Sequence, residues 1–372
     1  MEVTQVPLHS FAENEKTAHI STGEILENQE VEPSVYLPDL FISFCSRAPK
    51  LNAYYAEVKA DSDDWFAKLC DMRSKKELSK LHKADFALFA AWWTGDADKS
   101  EFRTICDWCN WVFYFDDQFD EGHLCEDKEK AQREADILTQ IMTVGLRDDE
   151  YLDDPPRARA LRVAFRSVWE RLSQRASVGV QRRFREAMQA FCKGLVGQVG
   201  VRVAVSTREL DPYLAFRRQS IGVVPCIVLA EYFHNLCLPD EFFQHPSVTT
   251  IMDLAAEITV LHNDVLSYHK EFEMGAIHNI VIIFRERGLT QQEAYGEVDK
   301  LIQKRLRDWH LAMHQLPFYG EELDIQVQKF IQACQEVAVG NLHWSFATER
   351  YFGKENNVIR RTRQVKQIHL DA

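Results

Sequence analysis

Apolar residues recur every three or four positions along most of this chain, which is the periodicity of amphipathic helices. The pattern begins near Val35 and continues to about Phe352. It predicts helices over residues 77–93, 99–115, 128–145, 158–173, 178–204, 211–222, 224–234, 247–272, 291–315 and 322–349. No segment alternates strictly between apolar and polar residues, so no β-strand is predicted. The expected fold is therefore all-α.

Few segments interrupt the helical pattern, which predicts one helical domain over residues 35–353. The loop signals are short and lie at Asp153–Pro156, Pro239 and Gly353. Residues 1–34 are polar and weakly patterned, so they are expected to be disordered. Residues 354–372 are expected to form a polar, basic tail.

The composition agrees with a helical protein and excludes some classes of function. Hydrophobic residues make up 46% of the chain, and only 15 glycines and 11 prolines are present. A net charge of −13 argues against a nucleic-acid partner. No transmembrane helix or secretory signal is expected. The nine cysteines are scattered without a framework pattern, which favours the reducing cytosol.

Asn263, Ser267 and Glu271 form the most informative polar pattern of the chain. On a helix, positions i, i+4 and i+8 drift by only ~40° per step, so the three side chains share one face. A carboxamide, a hydroxyl and a carboxylate aimed at one point are suitable ligands for a hard divalent cation. Lys270 lies one position before Glu271, where its ammonium group can face an anion held by that cation.

A second oxygen-rich cluster, Asp116, Asp117 and Asp120, follows a strongly aromatic predicted helix. Asp116 and Asp120 lie four positions apart, on one helical face. The helix is expected to end at this cluster, where carboxylates oppose the negative end of the helix dipole unless a cation compensates them. Two such sites on separate helices suggest a diphosphate clamped between them.

Two other acidic segments lack an aromatic helix directly upstream, and we interpret them as structural. Residues 148–154 adjoin Pro155 and predict a loop, so the substitution Asp148→Ala is expected to be nearly silent. The acidic residues of Asp61–Asp64 precede Trp65 and predict the start of a helix.

A diphosphate also needs cationic hydrogen-bond donors. Arg217 and Arg218 lie shortly before Gly222, which is expected to break a helix. Arg350 and Tyr351 close the last predicted helix. These four side chains are the candidate donors besides Lys270.

The motifs in this order resemble a class I terpene synthase of the fungal or bacterial type. The resemblance rests on DDQFD at 116–120, NDVLSYHKE at 263–271, an arginine four residues before Gly222, and the Arg350–Tyr351 pair. It covers residues 35–352 and implies an all-α bundle with a central apolar pocket that is open at one end. It also implies three Mg²⁺ ions, for which Mn²⁺ can substitute.

The resemblance assigns a role to each matching residue. The implied metal ligands are Asp116, Asp117, Asp120, Asn263, Ser267 and Glu271, with Asp116 as the bridging ligand. The implied diphosphate ligands are Lys270, Arg218, Arg350 and Tyr351, with Arg218 as the diphosphate sensor and Arg217 as the less favoured alternative.

The implied reaction is ionisation of a prenyl diphosphate, and similar single-domain synthases of this size favour the C15 farnesyl diphosphate over C10 and C20 substrates. Aromatic faces within ~6 Å can stabilise the resulting cation. Phe113, one turn before Asp116, and Trp344, before Arg350, are the candidates for this role, although core packing is an equal alternative for both. The protein is expected to be cytoplasmic, and a monomer or a homodimer.

Three other functions remain as alternatives. A prenyl chain-elongating enzyme would be expected to carry a second aspartate-rich motif, and this chain has the Asn263 motif instead. A thiol oxidoreductase is disfavoured because Cys106 and Cys109 lie within a predicted helix without a preceding strand. An all-helical scaffold or binding protein is compatible with the acidic surface, and it would release no diphosphate.

Overall fold

Helices dominate the computed structural model, which describes residues 33–145, 151–199, 209–275 and 278–368. In chain order the helices are α1 (Tyr55–Leu69), α2 (Lys75–Ala84), α3 (Phe86–Trp93), α4 (Lys99–Asp120), α5 (Lys128–Thr143), α6 (Pro156–Arg175), α7 (Val178–Gln198), α8 (Leu210–Ser220), α9 (Val223–Phe233), α10 (Asp240–Gln244), α11 (Pro246–Glu273), α12 (Ile280–Glu286), α13 (Gln291–His314), α14 (Glu321–Ala347) and α15 (Asn356–Thr362). The predicted all-α fold is confirmed.

The acidic cluster does not stop α4, contrary to the sequence prediction. The helix begins at a capping box formed by Asp98 and Glu101 and continues to Asp120. Phe115 and Phe119 explain the extension, because they are buried and continue the apolar stripe through the acidic residues. The aspartates therefore occupy the last two turns of α4.

The segment predicted as one helix over residues 77–93 is two helices, because the chain turns at Asp85. This residue has a left-handed backbone with φ of 45°, and its side chain caps α3 by accepting the Leu88 N–H at 3.0 Å. Its carboxylate also accepts hydrogen bonds from Tyr55 at 2.6 Å and Lys59 at 2.9 Å. These partners compensate for the break in the helix.

The acidic residues of Asp61–Asp64 lie in the middle of α1 and do not start it, so that prediction is wrong. Asp63 is buried and accepts hydrogen bonds from Lys59 at 3.0 Å and Asn110 at 3.2 Å. The helix begins one to two turns earlier, at Tyr55. The sequence signal was misleading because a buried polar cluster resembles a solvated first turn.

The polar segment after Gly353, expected as a tail, forms part of the folded body where it is described. Gln364–Lys366 pairs with Ser34–Tyr36 as a two-stranded antiparallel sheet, and Val365 lies opposite Val35. Both valines are buried, which explains why so short a pairing persists. Ser34–Ala372 forms one compact unit. Disorder was expected for residues 1–34, but Ser34 belongs to this sheet, so the prediction is wrong there. Residues 1–32 lie outside the described residues.

The long helices enclose a cavity that is partly open to solvent. α11 packs against α13 and α14, while α4 packs against α1, α3 and α6. α14 also contacts α3 and α9, and α7 contacts α8 and α9. The inward faces of α3, α4, α7, α8, α9, α11 and α14 form the wall of the cavity. None of the helices in the described residues is long and apolar enough to span a bilayer.

His262 on α11 is buried, and neither ring nitrogen has a hydrogen-bond partner among the described residues. Burial lowers the pKa of His262 to about 3 from its ordinary 6.5. Below pH 6.5 His262 is protonated in the unfolded chain but stays neutral in the folded protein. Lowering the pH therefore reduces the free energy of unfolding, by about 2 kcal/mol at pH 5.

We therefore expect His262→Leu to lessen the loss of stability between pH 7.5 and pH 5.0, measured as the shift of the urea midpoint. His314→Leu is the matched control, because His314 is exposed at the end of α13. If the urea midpoints of the wild type and His262→Leu fell in parallel between pH 7.5 and pH 5.0, His262 would not be the source of this loss of stability.

Candidate active site

The predicted polar motifs converge on one cavity of about 920 Å³. Its inner part is lined by apolar and aromatic side chains, and its mouth by charged ones. The apolar wall includes Phe89, Trp108, Val112, Phe113, Phe119, Phe191, Val223, Cys226 and Val337. Pockets that enclose small organic ligands are typically ~300–1,000 Å³. The cavity therefore suits a substrate with an apolar body and a highly charged head.

The acidic cluster places three carboxylates at the mouth of the cavity. Asp116, Asp117 and Asp120 all line it. Desolvation in the cavity wall, together with the neighbouring Asp120 and Asp117 carboxylates, raises the pKa of Asp116 well above its ordinary value. Lys80 contacts Asp117 at 3.2 Å from outside the cavity. The crowded carboxylates would be relieved by a bound cation.

The second motif contributes Asn263 and Glu271, on α11, to the lining of the same cavity. Asn263 donates to the Tyr351 hydroxyl at 2.9 Å. Ser267 is buried on the same side of α11 but does not line the cavity itself. Burial and the nearby Asp264 carboxylate raise the pKa of Glu271. The structure thus brings both predicted motifs to one site.

These oxygen donors fit a hard cation whose remaining coordination positions are filled by substrate and water. Across the described ranges, no three His, Cys, Asp or Glu side chains form a closed metal-binding cluster. Mg²⁺ does not require one, because it usually keeps several waters and binds through one or two carboxylates and substrate phosphates. Asp116 on α4 and Asn263 and Glu271 on α11 provide such partial sites.

Arg217, and not Arg218, reaches the cavity. The Arg217 side chain is buried, lines the cavity, and donates to Asp264 at 3.1 Å and to Asn263 at 3.3 Å. Burial alone would lower the pKa of Arg217, but the Asp264, Tyr213 and Glu271 side chains raise it, so the guanidinium stays charged.

Arg218 is not among the residues lining the cavity, which contradicts its preference as the diphosphate sensor. It forms an ion pair with Glu257 and lies 3.7 Å from Asp253, both on α11. Glu257 also accepts from Arg305 at 2.7 Å. Adjacent residues on a helix point about 100° apart, so only one of the two arginines can face inward.

Gly222 marks the predicted break between α8 and α9, and the break is confirmed. Its φ of 75° lies in the left-handed region, which glycine adopts without strain. It caps the start of α9 and lines the cavity beside Ser220 and Ile221.

Lys270, Arg350 and Tyr351 add further donors at the mouth of the cavity. Burial and the nearby Arg350 guanidinium lower the pKa of Lys270. The Nε atom of Arg350 is buried and has no hydrogen-bond partner among the described residues. Lys270, Arg350 and Arg217 therefore bring positive charge to the cavity that the two oxygen-rich motifs line, and Tyr351 adds a neutral hydroxyl donor.

The two aromatic candidates surround Arg350. The Arg350 guanidinium carbon lies 5.1 Å from the centre of the Phe113 ring and 5.7 Å from that of Trp344. Phe113 lines the cavity and stacks on Phe86 at 4.1 Å.

Trp344 does not line the cavity and is fully buried, which contradicts a direct role with a substrate cation. Its indole donates to the Ala84 and Asp85 carbonyls at 2.8 and 3.0 Å. Trp344 therefore packs beside Arg350 without facing the cavity.

Several residues of the site lacked a recognisable sequence signal. The aromatic residues Phe89, Trp108, Phe119 and Phe191 were not identified because apolar periodicity marks every inward face alike. Asp264 and Tyr213 are fully buried and hydrogen-bonded to each other beside Arg217. Asn279 was also missed, although an asparagine before an apolar run is a helix N-cap signal.

The other acidic segment is structural where it is described. Asp154 accepts from Arg133 at 2.9 Å and from Arg162 at 2.8 Å. Asp148, Asp149 and Glu150 lie outside the described residues, so the expectation for Asp148→Ala stays a prediction.

Comparisons with known proteins agree with this geometry. The family model "Terpene synthase family 2, C-terminal metal binding" matches residues 107–308. Silphinene synthase peniA of Penicillium patulum is 81% identical over the whole of both chains. Sesquiterpene synthase 1 of Postia placenta is 29% identical and aligns with 89% of this chain and 94% of its own. The solved structure of a-eudesmol synthase has a TM-score of 0.70 at 22% identity, and covers 81% of this chain and 97% of that one. With both oxygen-rich motifs in one cavity and a relative this similar, the chain belongs to the terpene synthase family.

Proposed function

We propose that this enzyme ionises farnesyl diphosphate and cyclises the resulting cation to a sesquiterpene. The main support is that the two oxygen-rich motifs and four polar or cationic donors line the mouth of a cavity with an apolar, aromatic interior. A charged head and a C15 hydrocarbon tail match this division. The relative named silphinene synthase is 81% identical, and we expect silphinene as the main product.

Ionisation breaks the bond between C1 of the substrate and the diphosphate oxygen, and the electron pair leaves with the diphosphate. Arg217, Lys270, Arg350 and Tyr351 donate hydrogen bonds to the growing negative charge of the leaving group. We propose Arg217 as the diphosphate sensor in place of Arg218, because Arg217 lines the cavity and contacts Asn263.

Three Mg²⁺ ions, held by Asp116 with Asp117 and Asp120 and by Asn263, Ser267 and Glu271, would supply Lewis acidity toward the diphosphate. Mn²⁺ is a plausible substitute for Mg²⁺, since both accept oxygen ligands.

The apolar interior keeps the cation away from water while its own double bonds close the rings. Phe89, Trp108 and Phe191 present aromatic side chains to this space. Phe113 shares its surroundings with Arg350, so it serves the diphosphate end of the cavity. The final cation is quenched by loss of a proton if the product is a hydrocarbon.

The C15 substrate is supported by the relative named sesquiterpene synthase, because sesquiterpenes are C15 compounds. The cavity volume alone would also admit a C20 chain. We further propose a cytosolic location, because all nine cysteines are unpaired and eight of them are wholly or partly buried. Burial raises the pKa values of Cys106 and Cys109 well above the ordinary thiol value, which disfavours a reactive thiol.

The decisive experiment incubates the purified protein with Mg²⁺ and, separately, the C10, C15 and C20 prenyl diphosphates. Gas chromatography–mass spectrometry identifies the products, and a diphosphate assay measures the released anion. We expect one dominant C15 hydrocarbon that coincides with silphinene, and no diphosphate release after addition of a metal chelator.

Other outcomes would overturn specific parts of the proposal. Turnover of only the C10 or C20 substrate would exclude the C15 assignment. Elongated prenyl diphosphates formed with added isopentenyl diphosphate would indicate a chain-elongating enzyme. No release from any substrate would favour a binding or scaffold protein.

A further inference from the structure

Asn279 is a fully buried residue at the start of α12, close to the predicted metal ligands of α11. Its Oδ1 atom accepts the Val281 N–H at 2.8 Å and thereby caps α12. Because a backbone N–H can only donate, this bond determines which end of the amide is the oxygen. The NH₂ group of Asn279 must therefore point in the opposite direction.

That NH₂ group contacts the second oxygen-rich motif. It donates to Oε2 of Glu271 at 2.9 Å and to the Asp264 carbonyl at 2.7 Å, and it lies 3.5 Å from Oγ of Ser267. Capping α12 requires only the oxygen of Asn279. The contacts with α11 are additional, and two of the three contacted oxygens belong to predicted metal ligands, Glu271 and Ser267.

The backbone around Asn279 is anchored independently. The next residue, Ile280, donates its N–H to Asp264 at 3.0 Å. Asp264 is buried and also accepts from Tyr213 and from Arg217. The start of α12 is therefore attached to α11 at two consecutive residues, which holds the Asn279 amide in one place relative to Glu271.

We propose that Asn279 is a positioning residue for the metal site on α11. Its hydrogen bond restrains one carboxylate oxygen of Glu271 and leaves the other oxygen free of this contact. Partners behind a metal ligand typically change metal affinity by ~10–100-fold when they are removed. The inference rests on the proposed role of Glu271 as a ligand.

The test replaces Asn279 by serine, which caps helices about as well but is too short to maintain the bond to Glu271. Mn²⁺ binding to the full-length protein, with inorganic diphosphate present, is followed by the electron paramagnetic resonance signal of free Mn²⁺. We expect Asn279→Ser to weaken the Mn²⁺ sites lost in Glu271→Gln by ~10–100-fold. If Asn279→Ser does not fold, Asn279→Thr retains the cap with more volume.

Asn52→Ser is the matched control. Asn52 is also buried, and its amide donates to two backbone carbonyls, Thr94 at 2.8 Å and Ala97 at 3.1 Å, away from the cavity. This control should lower stability without changing Mn²⁺ affinity.

Unchanged affinity in Asn279→Ser, combined with a loss in Glu271→Gln, would overturn the positioning role. Unchanged affinity in Glu271→Gln as well would instead overturn the proposed metal site itself.

Discussion

Arg217→Lys is expected to lower kcat/KM for farnesyl diphosphate by ~10²–10³-fold, whereas Arg218→Lys should change it by less than about threefold. The two substitutions are chemically identical and lie one residue apart. Both retain a positive charge, so the difference reports the guanidinium geometry. Lysine cannot reproduce the planar fork that donates two parallel hydrogen bonds to a phosphate.

The structural reason for the contrast is the direction of each side chain. Arg217 lines the cavity and donates to Asn263 and Asp264. Arg218 forms its ion pair with Glu257, which retains Arg305 as a second partner. The loss of the Arg218 guanidinium should therefore lower the free energy of unfolding modestly, without affecting ionisation.

The measurement is steady-state kinetics at several substrate concentrations, with thermal denaturation of each variant as a stability check. The assignment of Arg217 would be wrong if Arg218→Lys lost activity and Arg217→Lys did not. Equal losses in both variants, with unchanged stability, would indicate that the bend after α8 depends on both arginines.

The choice between these arginines illustrates where sequence reasoning ends. Apolar periodicity located the long helices, and the spacing of Asn263, Ser267 and Glu271 placed three oxygen-bearing side chains on one side of α11. Arg217 and Arg218 differ by a rotation of about 100° on a short helix, and that rotation depends on which face α8 packs against α7 and α11. No local pattern records this tertiary contact.

The aromatic residues illustrate the same limit. Trp344 was a candidate for stabilising the substrate cation because of its position before Arg350. The structure places it outside the cavity, where its indole bonds to the carbonyls at the break between α2 and α3. That break depends on Asp85 and its partners Tyr55 and Lys59, which are distant in sequence from Trp344. Only the assembled fold brings these groups together.

The extension of α4 could have been predicted from the residues alone. Phe115 and Phe119 are buried and lie four positions apart, so the apolar stripe of the helix continues through its last turns. The unfavourable dipole interaction argued for a helix end, but the burial of two phenylalanines outweighs it. A helix-end charge costs ~0.3–1 kcal/mol, whereas a buried phenylalanine contributes ~1.5–3 kcal/mol.

Glu271→Gln is expected to reduce turnover by about 10³-fold or more while the protein stays folded. A glutamine has nearly the same shape, but it replaces a charged oxygen ligand by a neutral amide oxygen, which attracts a divalent cation less strongly than a carboxylate does. A 10³-fold loss corresponds to about 4 kcal/mol of transition-state stabilisation. Asn263→Ala, which removes the ligand at the other end of the motif, should have a comparable effect.

Glu273→Gln provides the matched control on the same helix. Glu273 lies two residues further along α11, is exposed, and is not among the residues lining the cavity. Its substitution removes the same charge from the protein, so any general effect of net charge on the binding of diphosphate appears in both variants.

Steady-state turnover across a range of Mg²⁺ concentrations distinguishes the loss of a metal ligand from a general effect of net charge. If Glu271 is a ligand, the Mg²⁺ concentration for half-maximal turnover should rise in Glu271→Gln and stay unchanged in Glu273→Gln. Full activity of Glu271→Gln at the wild-type Mg²⁺ requirement would exclude this carboxylate from the metal site. The acidic residues of α4 would then have to hold all the metal ions, without any ligand from α11.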